Sequence, residues 1–132
     1  MSASPLFLVL CSAEHEKIQM GAMIASIAAV SERPVRLFVS MNAVFSFRKD
    51  LPDDERYQGG EFSRLMRAKK APDAITLFAQ GKMLGDMSVH VCSMALEVSE
   101  LGLDDLVEGL FDGELGLTKF LADAEGGELV FL

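Results

Sequence analysis

Residues 86–101 read DMSVHVCSMALEVSEL, and this stretch decides the fold. Met87, Val89 and Val91 alternate with Ser88, His90 and Cys92, which is the period of a β-strand, and a helical pattern begins at Ser93. The thiol of Cys92 therefore falls where a strand hands over to a helix, the edge at which open α/β proteins collect ligands and chemistry. The first N–H groups of that helix carry partial positive charge and favour thiolate over thiol. Cys92 is the candidate reactive group.

Upstream, Leu6 to Leu10 is a continuous apolar run of the kind that a central parallel strand buries on both faces. It ends at Cys11, and Ser12 is placed to cap a helix reaching Val30, with His15 and Glu16 in its first turn. Val35 to Ser40 reads as the next strand. Strand, helix and strand at this spacing predict right-handed βαβ units and a parallel sheet.

Beyond the second strand, Met41 to Phe47 is an apolar segment expected to act as a lid or docking loop. Arg48 to Gly60 turns polar and is expected to be the mobile loop of the chain. Helices are predicted over Glu61–Ala71 and Asp73–Met83, and again over Ser93–Glu100 with Gly102 as its stop. A further helical turn is expected over Asp104–Val107, a short strand over Glu108–Phe111, a last helix over Glu114–Ala124 and a closing strand over Glu128–Leu132. With these five strands wound in the order 2-1-3-4-5, the switch point lies between the first and third. Cys11 and Cys92 would then flank one crevice.

The 132 residues make one domain, 1–132, large enough to bury a core without staples. A net charge of −8 argues against nucleic acid as a partner, because that binding needs a concentrated basic surface. Arg64, Arg67, Lys69 and Lys70 form the one basic cluster and read as a solvated helix end. Ile18 to Val30 is almost wholly apolar, but these 13 residues fall short of the roughly 20 that a membrane span needs. No signal peptide is recognised, and a cytoplasmic location is expected. The small residues Gly21, Ala22, Ala25, Ala28 and Ala29 on that helix would let another helix approach closely, so a homo-oligomer is expected.

Two cysteines without repeated spacing offer neither a disulfide framework nor a metal site. Asp53-Asp54 and Asp104-Asp105 read as turn and helix-start residues rather than metal ligands. Gly59-Gly60-Glu61-Phe62 spells the motif of a cyclic-dinucleotide synthase domain, but a helical pattern follows it directly where that domain has a hairpin. His90, two residues before Cys92, shares its face of the strand and reads as a core histidine, with a role as base the alternative. His15 reads as an exposed first-turn histidine, with tuning of either thiol the alternative, and Cys11 as a filler, with a second thiol the alternative. Met87 is a core residue, whereas Met41 and Met94 suit an adaptable interface.

The segment HVCSMALEVSELGLDDLVEGL, followed by GLTKFL and a terminal apolar strand, resembles the DsrE/DsrF-like family of small sulfur-handling proteins, in its peroxiredoxin-like branch. The matching positions are Cys92, Ser93, Met94, Gly102, Leu103, Asp104 and Asp105. Ser40-Met41-Asn42-Ala43 departs from the Thr-Phe-x-Gly-like turn of that family, so no loop contact is carried over. The resemblance implies a flavodoxin-like three-layer α/β sandwich, a homo-oligomer, and Cys92 as carrier of sulfane sulfur in a persulfide or thiosulfonate. The donors and acceptors would be partner proteins, thiosulfate or polysulfide, and no cofactor is required. The competing readings are an adaptor subunit and a nucleotide-like ligand module. Against the latter, CSAEHEK puts glutamates where a phosphate would bind.

Overall fold

The computed structural model describes residues 4–132. The chain runs β1 (Leu6–Leu10), α1 (His15–Val30), β2 (Val35–Val39), then four short helices before the next strand: α2 (Ala43–Ser46), α3 (Asp53–Arg56), α4 (Glu61–Ala68) and α5 (Ala74–Leu84). It continues through β3 (Met87–Cys92), α6 (Ser93–Ser99), a 3-10 turn (Leu103–Asp105), β4 (Gly113–Leu115), α7 (Leu117–Asp123) and β5 (Glu128–Phe131). The five strands form one all-parallel sheet between helical layers, the three-layer α/β sandwich that the residue pattern predicts.

The strand order is β4-β3-β2-β1-β5 rather than 2-1-3-4-5. β2 pairs with β3 directly because the connection between them passes through α5, which packs along α1 on the same face. Successive right-handed crossovers then step the chain in one direction. α7 takes the opposite face, where Phe120 rests on Phe7 and Phe38 at centroid distances of 5.4 and 4.8 Å. This last crossing delivers β5 to the free edge of β1.

All five residues of β1 are buried, which accounts for their unbroken apolar run. Four of the five small residues of α1, Gly21, Ala22, Ala25 and Ala29, are buried inside the molecule, and Ala28 is half-buried. Ala22, Ala25 and Ala29 are buried, and a Cβ on Gly85 at the end of α5 would collide with the carbonyl of Ala29. What α1 leaves outward is larger: Met20, Met23, Ile27 and Val30.

Two loops are better anchored than their composition suggests. Met41–Phe47 is no lid: it holds α2, buries Ala43, Val44 and Phe47, and packs Phe47 against Phe78 and Phe111. Arg48–Gly60 is pinned by Arg56, which donates to the carbonyls of Ser46 and Arg48 at 2.9 and 2.7 Å. The N–H of Gln58 donates to Ala13 O at 2.9 Å and that of His15 to Gln58 O at 2.6 Å, tying the loop to the start of α1.

The fourth strand lies at Gly113–Leu115, not at Glu108–Phe111. Asp112 accounts for the shift, since its N–H donates to Val89 O and its Oδ2 accepts from Val89 N, so regular pairing starts only beyond it. Likewise Glu100, at φ 61°, supplies the left-handed residue after α6 in place of Gly102. Gly102 instead opens the 3-10 turn, its N–H donating to Asp105 Oδ2 at 2.8 Å. The acidic pairs Asp53-Asp54 and Asp104-Asp105 are helix-start and turn residues as read, and Gly59-Gly60-Glu61-Phe62 runs straight into α4.

Candidate functional site

Cys92 is the last residue of β3 and the N-cap residue of α6, in extended conformation. Met87, Val89 and Val91 point toward the α5 side of the sheet, so alternation sends Ser88, His90 and Cys92 to the α7 side. The Cys92 side chain is 5% exposed and sits in register with Leu115 of β4. Cys11, just past β1, is only half-buried, so the thiol less expected to react is the more accessible one.

The carboxyl ends of β1, β2 and β3 place Cys11, Ser40 and Cys92 in a row. Cys11 is tied down by its N–H bond to Leu132 O at 2.9 Å, and Ser40 by its own to Leu10 O at the same distance. Burial pushes the Cys11 thiol above its ordinary value of 9.0, and the nearby charge of Cys92 raises it further. The two thiols thus share an edge, but β2 stands between them and no strand-order reversal opens a crevice there. Two strand spacings separate their backbones by about 9.5 Å, beyond the Cα separation of about 7 Å at which a disulfide closes.

His90 is half-buried rather than sealed in the core. Because α7 has only seven residues, the sheet beneath it stays open as a pocket of about 350 Å³, where His90 meets Arg36, Ser88 and Phe120. His90 and Cys92 share this face as alternation requires, their side chains about 7 Å apart along the strand.

His15 is buried, contrary to the exposed position expected of a first-turn residue. Its ring stacks on Tyr57 at 4.5 Å and 8° between planes, and Nδ1 lies 2.6 Å from Ser63 Oγ. Burial holds its pKa below the usual 6.5, and the Arg67 guanidinium lowers it further, against smaller opposing effects of Asp73 and Glu16. Tyr57 donates to Asp73 Oδ1 at 2.9 Å, and Gln19 Nε2 donates to Pro72 O at the same distance. Sequence reasoning missed this cluster of Gln19, Tyr57, Ser63 and Asp73 around His15. The available signal was His15 and Gln19, four residues apart and on one face of α1, in line with the apolar Ala22.

Met87 is buried, while Met41 and Met94 are exposed near the thiol edge. Arg64, Arg67, Lys69 and Lys70 lie on the exposed end of α4 and just past it, as expected. Among the described residues no group of three His, Cys, Asp or Glu side chains is arranged to hold a metal ion, and no helix is long and apolar enough to cross a membrane.

No family model matches the chain, and no curated protein does. Among solved structures, a protein of unknown function from Methanobacterium thermoautotrophicum is similar over 98% of this chain and 100% of its own, with a TM-score of 0.62 and 18% identity. That likeness concerns the fold.

Proposed function

We propose that this protein is a sulfur carrier of the DsrE/DsrF-like kind, holding sulfane sulfur on Cys92. The observation that supports the reading is the position of Cys92: it closes β3 and opens α6 at the carboxyl edge of a parallel sheet, followed by Ser93-Met94 and the Gly102-Leu103-Asp104-Asp105 turn. In the proposed step the Cys92 thiolate attacks the outer sulfur of a donor persulfide. A new S–S bond forms at Cys92, the donor's S–S bond breaks, and the donor leaves as a thiolate. With thiosulfate the leaving group is sulfite. An acceptor thiolate then takes the outer sulfur from Cys92 in the same way, and neither transfer calls for a metal or organic cofactor.

A thiol this buried selects slender donors that approach end-on. Met94 in the first turn of α6 and Met41 beyond β2 offer soft, adaptable contacts for them. Self-association belongs to the same reading and is carried by the outward Met20, Met23 and Ile27 of α1, not by its small residues.

The test is intact-protein mass spectrometry with peptide mapping, after reduced protein meets thiosulfate, polysulfide or a persulfidated protein. The expected result is a gain of whole sulfur atoms on Cys92, reversed by dithiothreitol and absent in Cys92→Ser. Folded protein that takes up no adduct from any donor returns the chain to the adaptor or ligand-module readings.

A further inference from the structure

Among the described residues the sheet ends at β5, whose outer edge has no strand beside it. The N–H groups of Glu128 and Leu132 donate to Pro5 O and Val9 O at 2.9 and 2.8 Å, and that of Cys11 donates to Leu132 O. Alternate residues of a strand serve opposite neighbours, so Leu129 and Phe131 send their N–H and C=O groups to the open side. Monomeric proteins guard such an edge with lysine, proline or a bulge. The segment Leu129-Val130-Phe131 has none of these, and the one charge on the strand, Glu128, is ion-paired to Arg33 at 2.6 Å. The opposite edge differs, because β4 is Gly113-Glu114-Leu115 and carries a glycine and an exposed carboxylate.

Apolar surface flanks the open edge on both faces of the sheet. Leu129 and Phe131 pair with Phe7 and Val9, which puts them on the α7 face, where they are 50% and 70% exposed. Asp123 borders the pocket on the β3 side of α7, so the helical period turns the exposed Leu117 and Leu121 toward β5. On the other face, the exposed Met20, Met23 and Ile27 of α1 line a groove of about 560 Å³ together with the half-buried Val130. At about 200 Å² for a fully exposed residue of this size, the seven exposed ones leave about 700 Å² in water. That is more than the roughly 300–600 Å² of the largest patch on a typical monomer, and close to the roughly 800 Å² that each partner gives to a stable interface.

We propose that a second copy of this chain covers this edge, β5 against β5 and antiparallel, about a two-fold axis at Val130, so that two five-stranded sheets become one. Centred there, Leu129 of each copy exchanges both main-chain hydrogen bonds with Phe131 of the other, and Val130 faces its own copy in a non-hydrogen-bonded pair. Glu128 falls opposite Leu132 and meets no like charge. A lone foreign strand would satisfy the same main-chain groups but leave the α1 and α7 flanks in water. Covering both flanks takes a partner that itself presents an edge strand between two helical layers, and a two-fold axis sets this patch against itself. The seam gives the self-association proposed above its geometry and rests on that reading, and it does not depend on chemistry at Cys92.

The test uses the full chain carrying Cys11→Ser, Cys92→Ser and Val130→Cys, oxidised with copper phenanthroline at tens of micromolar and run on non-reducing gels. Residues in a non-hydrogen-bonded pair lie about 4.5 Å apart at Cα, within disulfide reach, so a dimer that dithiothreitol separates is expected. In sedimentation velocity, Phe131→Lys in the otherwise unchanged chain should weaken association by about a hundredfold, because the two-fold axis puts both new charges into the seam. The Phe131 side chain already meets solvent, so the fold should be kept. The seam is overturned if the chain associates but Val130→Cys gives no cross-link, which leaves the α1 contact alone, or if association survives Phe131→Lys. A monomer at these concentrations overturns the seam and the self-association together and leaves the edge to a strand of another protein, while sulfur loading of Cys92 is read separately by mass.

Discussion

At the scale of single residues, Cys92 could be read from its neighbours in sequence, whereas His15 could not. The alternation of residues 87–92 and the helix after them are local, so the strand-end position of Cys92 follows from the chain itself. His15 is buried by Tyr57 and Ser63, more than 40 residues downstream, and no local pattern announces that cover. Two outcomes are expected for the thiols. Mild oxidation of folded protein should give no Cys11–Cys92 disulfide, as non-reducing mass spectrometry would show, because β2 keeps them apart. Cys92→Ser should lower the pH midpoint of Cys11 alkylation while leaving it above 9.0, since burial is the larger of its two causes and the Cys92 charge the smaller. His15 carries a pH dependence of stability. Its folded pKa lies below the free-chain 6.5, so its contribution is complete above pH 6.5 and is lost as the pH falls from there through the folded value. Replacing it by Phe should flatten this acid-side slope in melting curves. The same change leaves Ser63 without its partner and should cost about 1–2 kcal/mol at pH 7.5.

At the scale of elements, β1, β3 and the span of α5 follow the residue pattern closely, β1 because an unbroken apolar run suits a strand buried on both faces, β3 and α5 because their buried positions recur at a strand or helix period. The fourth strand was displaced for a tertiary reason. Asp112 is hydrogen-bonded to Lys82 Nζ at 2.8 Å from α5 and to Val89 N at 2.8 Å from β3, so it closes the sheet edge before β4 begins. Burial alone would raise the Asp112 pKa, but these bonds hold the carboxyl below its usual range. Asp112→Ala should destabilise the fold by about 1–3 kcal/mol in urea titrations. The approach of α1 to α5 is tested by Gly85→Ala. The added methyl meets the backbone carbonyl of Ala29, which cannot turn aside as a side chain would, and a loss of about 1–3 kcal/mol is expected.

For the whole molecule, the layered α/β architecture and the parallel sheet follow from alternating strands and helices of the observed lengths, which admit few other arrangements. The apolar outer stripe of α1 sets an expectation at this scale: sedimentation velocity at tens of micromolar should show an oligomer. Met23→Glu with Ile27→Glu should shift it to monomer while leaving the far-ultraviolet circular dichroism unchanged, because both side chains already face outward. The alternation of strands with the longer helices, the buried character of β1 and the place of Cys92 at a strand end are properties of neighbours along the chain, and the amino-acid sequence by itself determined them. Which strands lie side by side, that Cys11 and Cys92 share an edge without touching, and that His15 is covered by Tyr57 and Ser63 were decided by the tertiary structure alone. The physical reason is that period and propensity act over a few residues, whereas strand order and side-chain neighbours depend on which face each crossover takes, a choice made by packing between segments far apart in the chain.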